Sequence, residues 1–190
     1  MKNRIIIISG PSGAGEDSII DALEKILPVE NVITTTTREM RPGESQANPY
    51  YFISRKDFLE KIDKGEFFEY AQEYNDNYYG VTNEELNRFT ANGKIGLWKI
   101  EYKGVITVKS KLPEIKAIFI IAPLEVLEQR IRRRTQVTED FVKERMNYTK
   151  EWLKHREIYD YEVENVEGKL KETIEKVTGI IKREFDIDKK

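Results

Sequence analysis

The chain has 190 residues, with 32 Lys and Arg against 34 Asp and Glu, one His and no Cys. Without cysteine there is no disulfide framework, thiolate zinc site or cysteine nucleophile, and His155 alone makes a multi-histidine metal centre impossible. The net charge of −2 argues against general nucleic-acid binding, and the length suits one domain with a small insert.

In chain order, strand and helix patterns alternate. Residues 4–9 are a short β-branched run ending at Gly10, which predicts a buried parallel strand. Residues 17–27 carry Ile19, Ile20, Leu23, Ile26 and Leu27 at helical spacing. Residues 31–36 and 50–54 are strand-like, 56–64 helical up to Gly65, and 67–74 strand-like with alternating aromatics. A helix is expected over 82–89 and apolar strands over 95–100 and 117–122. Two long helices follow over 124–134 and 138–155, then a short strand at 161–163 and an amphipathic helix over 168–185. No apolar run reaches signal-peptide or membrane-span length, so a soluble cytoplasmic protein is the expectation.

Alternation at both ends implies a parallel sheet covered by helices. The middle is richer in aromatics and short strands and reads as an inserted substrate-binding lobe over about 34–90. The core would then comprise about 1–33 and 91–190 of a single domain.

The most distinctive local feature is the segment Gly10, Pro11, Ser12, Gly13, Ala14, Gly15, Glu16, Asp17, Ser18, placed between a strand and a helix. That is the context of a phosphate-cradling loop of the form G-x-x-x-x-G-K-[ST], in which glycines let backbone N–H groups converge on an anion at a helix N-terminus. Gly10 and Gly15 keep the spacing, but Glu16 stands at the lysine position and Asp17 at the hydroxyl position. Reversing one charge at about 4 Å from a phosphate is worth about 4 kcal/mol per unit pair at an effective dielectric near 20. A purely structural role is also open, because acids suit the first turn of a helix.

Further motifs follow in order. They are Thr34–Thr37 with Arg38, Arg41 and Glu44, then Tyr50 to Ser54 as Y-Y-F-I-S, then Gly65 to Ala71 as G-E-F-F-E-Y-A. After these come Asn77, Tyr78, Tyr79 and Gly80, then Arg130, Arg134 and Arg145, and finally Tyr159 to Asn165 as Y-D-Y-E-V-E-N. Together they resemble the guanylate kinase family over about residues 5–181. The resemblance implies a P-loop NTPase-type three-layer α/β fold with a parallel sheet. It also implies a small mixed α/β lobe for the nucleoside monophosphate and a short lid near residues 134–150. By the same resemblance, Thr34, Arg38, Arg41, Tyr50 and Tyr79 hold the phosphate of GMP with Glu44 beside them, and Glu69 reads guanine N1–H and the 2-amino group. Arg130, Arg134 and Arg145 reach the transferring phosphoryl group and Asn165 assists the adenine of ATP, with Mg²⁺ bridging phosphates.

Three departures stand out. Glu16 and Asp17 replace the loop Lys and Ser, Lys99 stands where an aspartate is expected, and Val81 replaces a hydroxyl residue after N-Y-Y-G. Glu101 keeps an acid for guanine. The first two departures exchange signs, so Lys99 is expected to supply the lost phosphate contact, with Glu16 orienting it and Asp17 supporting magnesium. The leading expectation is conversion of ATP and GMP (or dGMP) to ADP and GDP by a monomer or homodimer without nucleic-acid or membrane partners. The alternatives are an inactive domain that binds GMP or a protein, and a kinase for another monophosphate.

Overall fold

The computed structural model describes residues 4–72, 76–133 and 137–187. Its strands and helices are, in order, β1 (Ile5–Ser9), α1 (Glu16–Ile26), β2 (Val29–Asn31), β3 (Thr35–Thr36), β4 (Ser45–Gln46), β5 (Pro49–Phe52), α2 (Arg55–Asp63), β6 (Phe67–Gln72) and β7 (Tyr78–Thr82). There follow α3 (Asn83–Asn92), β8 (Ile95–Lys99), α4 (Tyr102–Lys111), β9 (Lys116–Ile121), α5 (Leu124–Arg132), α6 (Glu139–Leu153), β10 (Tyr161–Glu164) and α7 (Leu170–Glu184). Among the described residues the sheets run β10-β9-β1-β8-β2 and β4-β5-β3-β7-β6. This is the α/β class expected. No helix among them is long and apolar enough to cross a membrane.

The chain forms two compact units, Met1–Ile5 with Glu30–Trp98, and Ile6–Val29 with Lys99–Lys190. In the second, β9 pairs in parallel with β1 on one side, Ile8 opposite Ile118, and with β10 on the other, Val163 opposite Ile120. Ile6, Ile7 and Ile8 are all fully buried, so both faces of β1 are covered, as in parallel sheets flanked by helices. At the end of β1 the Ser9 hydroxyl donates to the Ile100 carbonyl at 2.7 Å and lies 3.0 Å from the Tyr159 hydroxyl. The Trp152 indole N–H donates to that same hydroxyl at 2.8 Å. This buried polar chain fixes where β1 stops and the glycine loop begins.

In the first unit, β3 pairs antiparallel with β7, Thr36 opposite Tyr79, and β7 pairs antiparallel with β6. Phe58 of α2 stacks on Phe67 of β6 with centroids 4.2 Å apart. Thr82 caps α3 by accepting the Glu85 N–H at 3.2 Å, so the last residue of β7 also starts the helix.

Two expectations are corrected. Residues 31–36 are not one strand: β2 ends at Asn31 and β3 begins at Thr35, in different sheets. Between them the Ile33 N–H donates to the buried Glu85 carboxylate at 2.8 Å, which takes it out of any strand ladder. Helix α4 went unrecognised because its β-branched residues and Gly104 hide the spacing of Tyr102, Val105 and Val108, its buried stripe. The outer residues of the 67–74 strand and the start of the lid, including Arg134, lie outside the described residues.

Candidate active site

In the second unit the glycine loop folds as its sequence requires. Gly13 and Gly15 have φ of 91° and 94°, the left-handed region that side chains resist. A Cβ on Gly10, by contrast, would stand 2.6 Å from the Ile120 carbonyl, so this glycine is there for close packing on β9. The Ala14 N–H closes a turn onto the Pro11 carbonyl at 2.9 Å. Asn165 donates its side-chain amide to the Ala14 carbonyl at 2.7 Å, and its carbonyl accepts from Thr173 at 3.3 Å. Asn165 therefore anchors the loop from the end of β10.

Arg130 is tied to the same loop. Its guanidinium donates to the Gly13 carbonyl at 3.2 Å, the Asn165 carbonyl at 3.1 Å and Glu167 at 3.0 Å. Arg133 reaches Glu167 as well, at 2.9 Å. Sequence reasoning missed Glu167 and Thr173, which carry no motif signal and acquire a role only through their contacts with Arg130 and Asn165. Beside this clamp lies a cavity of about 270 Å³ bounded by Gly15, Ser18, Arg130, Asn165 and Leu170.

The charge-exchanged residues lie at the start of α1. Lys99 pairs with Asp17, Nζ to Oδ1 2.5 Å. Glu16 differs from it: the residue is half-buried, close to the backbone N–H groups of its own position and of Gly15. Desolvation pushes this carboxyl from 4.5 up to about 7, against the pull of those N–H groups and of the Lys99 ammonium, with Asp17 adding to the rise. Glu101 is the residue before α4, makes no capping bond with its side chain, and accepts from the Tyr148 hydroxyl. Arg145, on α6, stacks over Phe141 with 5.1 Å to the ring centroid.

The raised Glu16 value carries a stability consequence. The native state holds this proton more tightly than the unfolded chain, so stability falls as pH rises from about 4.5 to 7 and levels above. Glu16→Gln removes that penalty. Thermal melts without divalent cations should place the variant several degrees above wild type at pH 8, from about 2–4 kcal/mol, with the difference shrinking steadily toward pH 4.5. A pH-independent difference would show that the carboxyl is not desolvated.

In the first unit, the pairing of β3 with β7 places Arg38 near Tyr79. The Arg38 N–H donates to the Thr36 hydroxyl at 3.1 Å, and the Thr37 hydroxyl accepts the Tyr78 N–H at 2.9 Å. The Arg38 guanidinium grips both oxygens of Glu44, at 2.8 and 3.0 Å, and lies 5.4 Å from the centroids of both Tyr50 and Phe52. Tyr50 meets Tyr79 edge-on at 5.9 Å. Glu44 also accepts the Arg41 backbone N–H at 2.7 Å, and the Arg41 residue is exposed. The hydrogen bonds from Arg38 hold Glu44 below its usual range. The result is a guanidinium flanked by two phenols, a donor set suited to a phosphate dianion.

Thr34 is half-buried, and its carbonyl accepts the Tyr51 N–H at 3.0 Å. Glu69 on β6 is buried, and its cross-strand partner is Val81, also buried. Directly opposed residues share a face, so Val81, where a hydroxyl residue is expected, lies on the same face as Glu69. Gly80, the neighbour of Val81 and cross-strand partner of Tyr70, leaves no room for a side chain, since a Cβ there would lie 2.7 Å from the Glu69 carbonyl.

The comparisons agree with this geometry. The family model described as guanylate kinase matches residues 2–184. A guanylate kinase of Photorhabdus laumondii is 37% identical over 169 residues, 87% of this chain and 81% of that protein. One from Idiomarina loihiensis is 39% identical over 140 residues, 72% of this chain and 66% of that protein. The crystal structure of guanylate kinase from Anaplasma phagocytophilum superposes with a TM-score of 0.74 at 26% identity, covering 95% of this chain and 85% of that one. The chain belongs to the guanylate kinase family.

Proposed function

We propose that the chain transfers the γ-phosphoryl group of ATP to GMP or dGMP. An oxygen of the monophosphate attacks the γ-phosphorus, the bond to the β,γ-bridging oxygen breaks, and ADP and GDP leave. The single observation that carries this reading is the grouping of Arg38 with Tyr50 and Tyr79, held by Glu44. Arg38 neutralises the acceptor phosphate and the phenols orient it. The Glu69 carboxylate accepts from guanine N1–H and the 2-amino group, a donor pair adenine lacks. With Val81 apolar, base selection rests on that carboxylate, and Glu101 is placed by the resemblance as a second acid toward guanine.

For the donor, the loop from Gly10 to Ser18 takes the phosphates, with Asn165 and Arg130 holding its shape. Arg145 and Arg134 belong to the charge-stabilising set. Mg²⁺ bound with the donor would supply charge neutralisation at its phosphates, with Asp17 as the carboxylate to hold it. An exposed carboxylate at the loop fits that ion, because Mg²⁺ is commonly held by substrate phosphates with one or two carboxylates. Asp17 is the carboxylate available at the loop. The Lys99 ammonium takes over the loop lysine's contact with the donor phosphates, and its pairing with Asp17 at the start of α1 supports this.

GDP formation from ATP and GMP, followed in a coupled assay, tests the reading. Lys99→Ala is expected to lower kcat/KM at least about tenfold, the worth of one charge-assisted contact of about 1.4–3 kcal/mol. Unchanged turnover would remove Lys99 from the mechanism. GMP binding with no ATP binding in calorimetry would point instead to a domain that senses GMP without turning it over. Tighter binding of AMP than of GMP would point to another monophosphate.

A further inference from the structure

Asn165 is the residue that the resemblance assigns to the adenine of ATP, yet its polar groups are engaged within the fold. Its side-chain amide donates to the Ala14 carbonyl at 2.7 Å, its side-chain carbonyl accepts from Thr173 at 3.3 Å, and its backbone N–H donates to the Ile121 carbonyl at 2.7 Å. It is 5% exposed, and Gly15 covers the amide nitrogen so closely that a Cβ there would lie 2.5 Å away. Arg130 is committed in the same way. Its Nε donates to Glu167 at 3.0 Å, one terminal nitrogen to the Gly13 carbonyl at 3.2 Å and the other to the Asn165 carbonyl at 3.1 Å. Both Glu167 oxygens are in turn engaged, one by Arg130 and one by Arg133, each at 2.9 Å. With donors on all three nitrogens engaged, the guanidinium offers the cavity its flat face. Val166 and Leu170 border the same cavity and are both 38% exposed, which leaves apolar carbon open to it. The Val166 carbonyl is taken by the Lys169 N–H at 3.0 Å. Ser18, on the loop side, adds a hydroxyl that donates or accepts with equal ease.

We infer that the cavity beside the glycine loop holds the donor's base by its plane and not by its edge, so that purine nucleoside triphosphates as a class serve as phosphoryl donors, GTP as well as ATP. This rests on the loop being the donor site, as proposed above: phosphates on Gly10 to Ser18 leave the attached nucleoside at the cavity that Gly15 and Ser18 border. A ring lying on a guanidinium face and aliphatic carbon gains stacking and apolar contact that every purine provides alike. Edges are told apart by hydrogen-bonding groups held ready for one pattern, and such a site rejects the wrong partner by about 10⁴–10⁵-fold. Here the amide and the guanidinium able to do so face the loop instead. Glu167 is a positioning residue in this scheme, since it sets the plane of Arg130. With GTP, an oxygen of the monophosphate attacks the γ-phosphorus, the bond to the β,γ-bridging oxygen breaks, and GDP leaves.

The test is phosphoryl transfer to dGMP by the full chain, with ATP·Mg²⁺, GTP·Mg²⁺ and ITP·Mg²⁺ as donors. The deoxy acceptor keeps its product, dGDP, apart from the GDP left by GTP. The kcat/KM values for GTP and ITP are expected within about tenfold of that for ATP. Glu167→Gln loosens the plane of Arg130 and is expected to raise the KM of all three donors by one common factor, with the KM for dGMP unmoved. A preference above about a hundredfold for any one base overturns the inference. A Glu167→Gln variant that changes the ratio of ATP to GTP also overturns it, because the carboxylate is then reading the base edge. Unmoved donor KM values in that variant overturn the part given to Glu167. If no donor yields dGDP, the kinase reading fails and binding decides this one, by calorimetric titration of Arg38→Ala, whose acceptor cluster is disabled, with ATP·Mg²⁺ and GTP·Mg²⁺. Affinities within about tenfold of each other sustain the inference, and binding of one alone or of neither overturns it.

Discussion

Arg38→Ala is expected to raise the KM for GMP by about 10²–10³-fold, from removal of a largely desolvated charged partner worth about 3–4 kcal/mol. The size of the effect follows from how the side chain is held. The Arg38 and Glu44 side chains are only 11% and 17% exposed, so the pair sits outside the range where surface ion pairs are worth little. Glu44 holds the guanidinium fork in place before any ligand arrives, and Tyr50 and Phe52 border it. Truncation leaves the phosphate with phenols and backbone alone, and leaves Glu44 as an uncompensated carboxylate beside it. Glu44→Gln separates these contributions: it keeps one acceptor oxygen, removes the charge, loosens Arg38 and should raise KM far less. Arg38→Lys should recover only part of the loss, because an ammonium cannot make the paired contact. Initial rates at varied GMP and saturating ATP check the series. A change in kcat with KM intact would move Arg38 from binding the ground state to acting in the transition state.

The monophosphate cluster was legible because its residues belong to four short motifs, each with a recognisable order, and the sheet does the rest. Arg38, Tyr50 and Tyr79 lie on or beside β3, β5 and β7, which are adjacent strands, so residues far apart in sequence meet by register. Strand and helix alternation likewise exposed the parallel sheet, since each strand is a short β-branched run. The misses share a cause. Breaking residues 31–36 depended on the Glu85 carboxylate taking one backbone N–H, a contact across 52 positions that no local pattern signals. Glu167 serves Arg130 across 37 positions, and Thr173 serves Asn165 from the following helix, and neither contact has a local pattern to announce it. The partner of Lys99 differed for a subtler reason. Position 16 and position 17 are adjacent on a helix start, and one residue of rotation, about 100°, decides which acid faces the lysine. Charge counting on the sequence cannot resolve that rotation, while the backbone at Gly15 sets it.

Gly15→Ala is expected to cost about 2–5 kcal/mol of stability and to abolish ATP binding at accessible concentrations, through two separable effects. The first is conformational: at φ 94° an L side chain is strained. The second is steric: the added Cβ would lie 2.5 Å from the Asn165 side-chain nitrogen, which is itself committed to the Ala14 carbonyl. Asn165 cannot step aside without releasing the loop, so the collision passes directly into the phosphate-binding backbone. Gly93 provides the control, since its φ is 72° but nothing lies within 4 Å of a Cβ there. Gly93→Ala should therefore cost only the conformational part, about 1 kcal/mol, and leave ATP binding intact. A double variant completes the separation. Adding Asn165→Ala to Gly15→Ala relieves the collision, so the two substitutions together should destabilise by less than the sum of their separate effects. Denaturant melts of wild type, the three single variants and the double variant, with ATP titration alongside, decide the matter. If Gly15→Ala costs no more than Gly93→Ala, the packing of Asn165 against the loop is looser than its hydrogen bond indicates, and the shape of the donor site must be kept by Arg130 and Gly13 instead.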